Sequence, residues 1–395
     1  MNDYRERLID FTCRLIRTPS PSGREKEAAL LIAAEMKKLG YPEVLIDDKF
    51  NVTGVIEGAK PGKNLMLNGH IDHAATGNME NPYSGDIMDG SRFGSEGAVI
   101  YGRGACDMKA AVAAMVYAGA VLQKERSKIS GNVYVTCVTL EEQARGEGIK
   151  HLLDHSGLHF DAAVSGEATD MEVHLGHRGK FEYLIRVHGK TSHASNPARG
   201  VNAIFSMNKL LTEIETVYAK SLAGHEFLGL STVTVIDILS SPGRLTPVVP
   251  DYCEIVMDRR YLPGEDSGLV DKEIEEMFDR IKAVYPQFSA EYEQIKDFPV
   301  LYCPPEEPVA RAAAGAVEEV LHKTPRYKAW KFGVDGAFIA QRGIPCVGFG
   351  PGNEHYAHTP EDHVRVDDVY NSAGVYCQIA RRFSGSAGKS EDAAL

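Results

Sequence analysis

At 395 residues the chain is long enough for two or three domains and a sizeable core, and 43% apolar, 25% charged and 8% aromatic residues is the composition of an ordinary soluble globular protein. A formal net charge of -12 offers no basic face for phosphates, so no nucleic-acid partner is expected. No apolar run approaches the roughly 18 residues of a membrane span, and the opening MNDYRERLIDF is polar and periodic rather than signal-like, so no membrane partner and a cytoplasmic location are expected.

Residues 22–39, SGREKEAALLIAAEMKKL, place apolar side chains at helical spacing behind a Ser22 cap and stop at Gly40. Short apolar runs follow in NLMLNGHID, NVYVTCVTL and DAAVSGE, separated by helical stretches from Lys109 to Lys124 and from Gly146 to Asp154. Such alternation predicts an α/β fold, a mostly parallel sheet flanked by helices, whose ligands gather at the carboxyl ends of the strands. From about Gly179 the pattern changes. KFEYLIRVHG reads as a strand, 201–219 as a helix, STVTVIDI and YCEIVMDRRYL as strands, and 267–284 as a helix. Strand, helix, strand, strand, helix, strand is the pattern of an inserted α+β domain. The sheet pattern resumes at GIPCVGFG, and a closing helix is predicted from about Asp367 to Phe383, with the last dozen residues, SGSAGKSEDAAL, disordered. The predicted domains are therefore 1–178 and 297–395, forming one discontinuous unit, and 179–296 inserted between them.

The chemistry collects where strands end. After NLMLNG come His70 and Asp72; after YGRGAC comes Asp107; Glu141 and Glu142 follow VTL; Glu167 follows AVSG; and VGFGPGNEHYA leads to His358. Imidazoles and carboxylates without thiolates suit Zn²⁺ or a similar divalent ion, and a set this rich in carboxylates can hold two ions about 3.5 to 4 Å apart. In HxD, residues i and i+2 of an extended chain point the same way, so Asp72 can accept the free N–H of His70 and fix its tautomer. Adjacent Glu141 and Glu142 point apart, which lets one bind metal while the other acts as base. Seven widely spaced cysteines, with no CxxC, support neither a disulfide framework nor a thiolate zinc site; they are expected to be buried small hydrophobes.

The segments GHIDH, YGRGACDMKAA, TLEEQ, SGEATD, GKTSHASNPARGVNAI, VVPDYCEIVMDRRYLPGE and AHTPEDHV, in this order, resemble the metallopeptidase family of acetylornithine deacetylase, succinyl-diaminopimelate desuccinylase, aminoacylase and carboxypeptidase G across nearly the whole chain. Within it, GHRGKFEYLIRVHG, HEFLG and GFGPGNE are most similar to hydrolases linked to selenium metabolism. The resemblance implies a zinc peptidase-like catalytic domain with an inserted ferredoxin-like dimerisation domain, and a homodimer. It implies two Zn²⁺ per subunit, with Co²⁺ or Mn²⁺ as substitutes. Asp107 would bridge the two, His70 and Glu167 completing one site and Glu142 and His358 the other. Glu141 would be the general base, with Asp72 supporting catalysis. His193 of TSHA would reach the neighbouring subunit's site to stabilise the oxyanion, and Asn202 and Arg260 would hold the substrate's carboxylate, a task that suits an Arg fork. The family's GGTDA turn is replaced by KFGVDGAF, with Phe332 and Val334 at small polar positions.

Blander readings compete at several positions. For His73 a structural role is preferred to a ligand role; of His355 and His358, the phrase AHTPED selects His358. Cys106 has no evident base and reads as a buried filler rather than a nucleophile. GRGACD and GFGPG do not complete a dinucleotide fingerprint. The sequence thus predicts a metal-dependent amidohydrolase acting on an N-acyl amino acid or a small dipeptide-like amide. The alternatives are an aminohydrolase for a non-peptide C–N bond and a non-catalytic metal-stabilised binding protein.

Overall fold

The computed structural model describes residues 4–243 and 247–385. It divides into two compact units, one formed by 1–176 and 301–395 and the other by 177–300. The expected disorder of 384–395 falls almost wholly outside the described residues; only Ser384 and Gly385 are seen, closing the helix Val366–Gly385.

The first unit is built on an eight-stranded sheet. Its centre is parallel: Asn132–Val138, Leu65–His70, Ala162–Ser165 and Cys346–Gly348 lie side by side in that order. These strands read as near-continuous apolar runs because both faces are covered, and Leu65–His70 is buried at every position. The sheet is mixed rather than mostly parallel throughout, since Glu43–Ile46 and Val52–Glu57 add antiparallel strands at one edge. A further departure concerns Asp107. The strand before it, Ala98–Tyr101, belongs to a separate three-stranded sheet with Asp86–Asp89 and His363–Arg365, so the expected five ligand segments do not all come from one sheet.

The helix Lys26–Lys38 starts four residues later than its periodicity suggests. Ser22 cannot cap it, because its hydroxyl donates to Asp72 at 2.7 Å. The helix Ala110–Lys124 runs through the core, buried all round from Ala110 to Leu122, against Arg5–Ile16 and Val366–Gly385. Together with the preceding turn, Ala105–Lys124 is long and apolar enough to span a bilayer, contrary to the expectation from the sequence, yet its 18-residue apolar window is wholly buried inside the protein. All seven cysteines are buried and unpaired.

The second unit has strands Gly179–His188, Thr232–Ser241, Tyr252–Tyr261 and Ser289–Phe298 in one antiparallel sheet, with Thr232–Ser241 at one edge. Burial alternates strictly along Gly179–His188. Its inward residues Phe181, Tyr183, Ile185 and Val187 pack with Met207 and Leu210 of the helix Ala203–Glu213 and with Val270, Ile274, Met277 and Ile281 of the helix Ser267–Val284. Each such side chain contributes roughly 1.5 to 3 kcal/mol by leaving water.

Gly119 marks a close crossing in the first unit. A Cβ there would stand 1.9 Å from the Tyr41 hydroxyl oxygen, which itself donates to the Val116 carbonyl at 2.6 Å. On an exposed helix Gly→Ala stabilises by about 1 kcal/mol. Gly119→Ala is instead expected to destabilise by about 1 to 3 kcal/mol through overpacking, and an unchanged or raised melting temperature would contradict this packing.

Candidate metal centre

His70 is the last residue of the strand Leu65–His70, and Glu167 follows Ala162–Ser165 on the neighbouring parallel strand. Glu141 and Glu142 follow Asn132–Val138 on the other side. Three adjacent strand ends thus deliver an imidazole and three carboxyls to one edge of the sheet. Asp107 enters from a kinked turn, Ala105–Lys109, and His358 from the long loop after Cys346–Gly348.

The side chains converge in two groups. Donor atoms of His70, Glu141 and Glu167 lie within 4.8 Å of one another, as do those of Asp107, Glu142 and His358. Asp107 joins them: its Oδ1 is 2.9 Å from His70 Nε2 and its Oδ2 is 3.1 Å from His358 Nε2. His70 Nε2 is also 3.6 Å from Glu167 Oε1, and His358 Nε2 is 2.9 Å from Glu142 Oε2. Glu142 Oε1 is buried with no hydrogen-bond partner among the described residues. Imidazole nitrogens and carboxylate oxygens within coordination range, one of them an orphaned buried oxygen, fit a pair of divalent cations.

Asp72 does more than orient His70. The Nδ1 of His70 meets the backbone carbonyl of Asp72 at 3.1 Å, while the Asp72 carboxylate lies at 3.5 Å. That carboxylate accepts the backbone N–H groups of Glu141 and Glu142, both at 3.1 Å, and the Ser22 hydroxyl. It therefore fixes the turn that presents the adjacent pair of glutamates. His73 has no lone pair to offer a metal. Its Nε2 accepts the Ser20 N–H at 3.1 Å, its Nδ1 donates to the Ala74 carbonyl at 2.9 Å, and burial pushes it down to about 4. His355 is exposed against Tyr356. Cys106 is buried, which pushes its thiol well above the usual range, and its Sγ donates to the Asn353 carbonyl.

In the metal-free site, burial pushes Glu141 and Glu167 well above the carboxylate range; the neighbouring charge of His70 opposes this, and the surrounding carboxylates add to it. Burial would lower His70, but Glu167, Asp107 and Asp72 raise it well above the usual imidazole range. Hydrogen bonds to Asp107 and Glu142 push His358 up to about 10. Burial alone would raise Asp107, yet its two imidazole partners hold it well below the carboxylate range.

Two acidic residues given no role from the sequence also belong here. Asp335 is buried, both its carboxylate oxygens lack a partner among the described residues, and burial pushes it up to about 7. Asp362, also buried, accepts the backbone N–H groups of Gly104 and Cys106. Burial has no local sequence signature, although Asp362 stands in AHTPEDHV, one of the segments that carry the family resemblance, whereas Asp335 stands in KFGVDGAF, where the chain departs from it.

The remaining sequence-predicted residues lie in the second unit. His193 is exposed, and its Nδ1 accepts the Ser195 N–H at 3.1 Å. Asn202 caps the helix Ala203–Glu213, its Oδ1 accepting from Ile204 and Phe205. The Nε and Nη2 edge of Arg260 is paired with Asp258.

Two neighbouring sets of three imidazole and carboxylate donors are the chemistry of a hydrolase that works with divalent cations. The chain belongs to Peptidase family M20/M25/M40, whose model matches residues 66–382. It is 33% identical to the uncharacterized protein YgeY of Escherichia coli (strain K12), over 95% of this chain and 94% of that protein. It is 27% identical to the succinyl-diaminopimelate desuccinylase of Stenotrophomonas maltophilia (strain K279a), over 95% and 98%. In fold it resembles the YXEP protein of Bacillus subtilis, a dinuclear metal binding peptidase of the same family, with a TM-score of 0.77 over 98% of this chain and 99% of that one at 16% identity. The protein is a metal-dependent hydrolase.

The protonation pattern gives a measurable consequence. Groups held protonated in the metal-free site must give up protons to a cation, so binding at pH 7 is expected to release protons and affinity to fall as pH drops. Titration calorimetry in buffers of different ionisation enthalpy measures this directly; binding with no net proton release would contradict the pattern.

Proposed function

We propose that the protein hydrolyses the amide bond of an N-acyl amino acid or small dipeptide-like substrate, as a cytoplasmic homodimer with two Zn²⁺ per subunit. The observation that carries the reading is Glu141, a carboxyl with an oxygen within 4.8 Å of donor atoms of His70 and Glu167, which that reading leaves free to act as a base. A merely structural metal site has no use for it. The desuccinylase relative, which by its name removes an acyl group from diaminopimelate, supports the substrate class.

In this reading His70, Glu167 and Asp107 would hold one ion, and Asp107, Glu142 and His358 the other. When bound, the ions supply Lewis acidity toward the amide carbonyl and make water a competent nucleophile near neutral pH. Glu141 takes the proton of the attacking water and passes it to the amide nitrogen as the C–N bond breaks, so a carboxylate and an amine leave. His193 suits oxyanion stabilisation. An N–H can only donate, so its Nδ1 is the acceptor from Ser195 and the proton of the neutral ring sits on Nε2, ready to donate. Arg260 and Asn202 hold the substrate's carboxylate; Asn202 does so through its amide N–H, because its oxygen caps a helix.

The dimer is supported by the edge strand Thr232–Ser241. Ile236, Ile238 and Leu239 along it are each more than half exposed, and an unpaired apolar edge is a pairing surface.

A hydrolysis screen of N-acetyl, N-succinyl and N-carbamoyl amino acids and of dipeptides, with Zn²⁺, Co²⁺ or Mn²⁺, tests the activity, and no turnover on any of them would remove the proposal. Glu141→Gln is expected to retain its metal while turnover falls by about 10² to 10⁴; a near-native rate would show that the base is elsewhere. For the shared site, His193→Ala and Glu141→Gln homodimers should each be nearly inactive. Under subunit exchange the mixture should recover about a quarter of native activity, since half the dimers are mixed and each of those has one intact site of two. Mixed dimers that form but stay inactive would place His193 in its own subunit's chemistry.

A further inference from the structure

Asp107 sits on a turn that the main sheet does not hold, so something else must fix its position. The turn is tied to the loop that carries His358. Asp362, four residues beyond His358 and fully buried, accepts the Gly104 N–H at 2.7 Å and the Arg103 guanidinium at 3.2 Å through Oδ2, and the Cys106 N–H at 2.8 Å through Oδ1. Its own carbonyl accepts the Gly102 N–H at 3.1 Å. A second tie runs from Cys106 Sγ to the Asn353 carbonyl at 2.9 Å. Gly352 permits this approach, since a Cβ there would stand 2.3 Å from the Cys106 carbonyl oxygen. The strands flanking the knot pair with each other, His363 opposite Tyr101 and Arg365 opposite Val99.

We infer that Asp362 is a positioning residue for the metal centre: by clamping the amides of Gly104 and Cys106 it locks the Asp107 turn to the His358 loop, so the two carboxylate oxygens of Asp107 face His70 and His358 before any cation arrives. The inference rests on the reading of Asp107 and His358 as ligands. The carboxylate suits the task because it is acceptor-only, and all three groups it meets are donors. An Asn in its place must turn its NH₂ toward one of those N–H groups, so one strand of the clamp is lost while size and shape are kept.

Asp362→Asn is therefore expected to weaken metal binding by about 10- to 100-fold, the usual effect of losing an outer partner of a ligand. Dissociation constants measured by competition with a chelating dye read this, beside the melting temperature of the metal-free protein. The control is Val99→Ala, a buried truncation in the strand beside the knot, which should lower the metal-free melting temperature yet leave metal affinity within a few fold. An Asp362→Asn protein that binds metal like the wild type overturns the inference, as does an equal loss of affinity in Val99→Ala. Wild-type protein that binds no divalent ion removes instead the reading of the ligands. Hydrogen exchange keeps the test open if Asp362→Asn does not fold. In the metal-free wild type, peptides covering 102–107 are expected to exchange slowly, whereas exchange as fast as an exposed loop would overturn the clamp.

Discussion

The structure depends on a concentration of like charge that an empty protein interior cannot hold. Asp72, Asp107, Glu167 and Asp335 are all buried, and the paired Glu141 and Glu142 turn toward the same sheet edge. At an effective dielectric constant near 20, two carboxylates 4 Å apart repel by about 4 kcal/mol. Without cations the balance shifts toward protonation: burial raises Glu141 and Glu167 well above the carboxylate range, and carboxylate partners raise His70 and His358 above the usual imidazole range. Folding and metal binding are thus coupled through one charge balance, and the residues around the site exist to hold the acids in place while that balance is met.

The arrangement uses two kinds of acid. Those facing the centre, such as Glu142, carry an oxygen with no protein partner. Those behind it have their oxygens committed to donors. Asp72 takes the amides of Glu141 and Glu142, and Asp362 takes those of Gly104 and Cys106. Each backing acid takes one side-chain donor but also holds a turn by its backbone amides, so the front acids inherit their positions from backbone geometry, which is stiffer than a rotamer. Buried Lys109, two residues after Asp107, ties the end of the same turn elsewhere by donating to the Leu15 and Thr18 carbonyls, and burial pushes its ammonium down to about 7.

Much of this was legible in the sequence because it is local. Apolar runs ended by His or a carboxylate announced the strand ends, and alternation in KFEYLIRVHG announced an amphipathic strand; the residues singled out at those ends gather as His70 with Glu141 and Glu167, and Asp107 with Glu142 and His358. What escaped was non-local. Ser22 has the look of a helix cap, but its hydroxyl is claimed by Asp72, fifty positions away. The sheet that holds Ala98–Tyr101 is separate from the main one because its partner, His363–Arg365, arrives some 260 residues later. Asp335 and Asp362 are ordinary acids in sequence, and only burial and partners distinguish them. Asn202 has a capping geometry that is visible only once the helix start is known.

The insertion of the second unit has a consequence for biosynthesis. The strand Ala162–Ser165 lies in the sheet beside Cys346–Gly348, a neighbour made about 180 residues later. At roughly 5 to 20 residues per second, the ribosome leaves that fully buried strand with one bare edge for on the order of 10 to 40 s. All four strands of the second unit are encoded within that interval, and they form their own sheet. The nascent chain can therefore complete the later-begun unit before the earlier one closes, and the exposed edge of Ala162–Ser165 is where a chaperone has the most to shield.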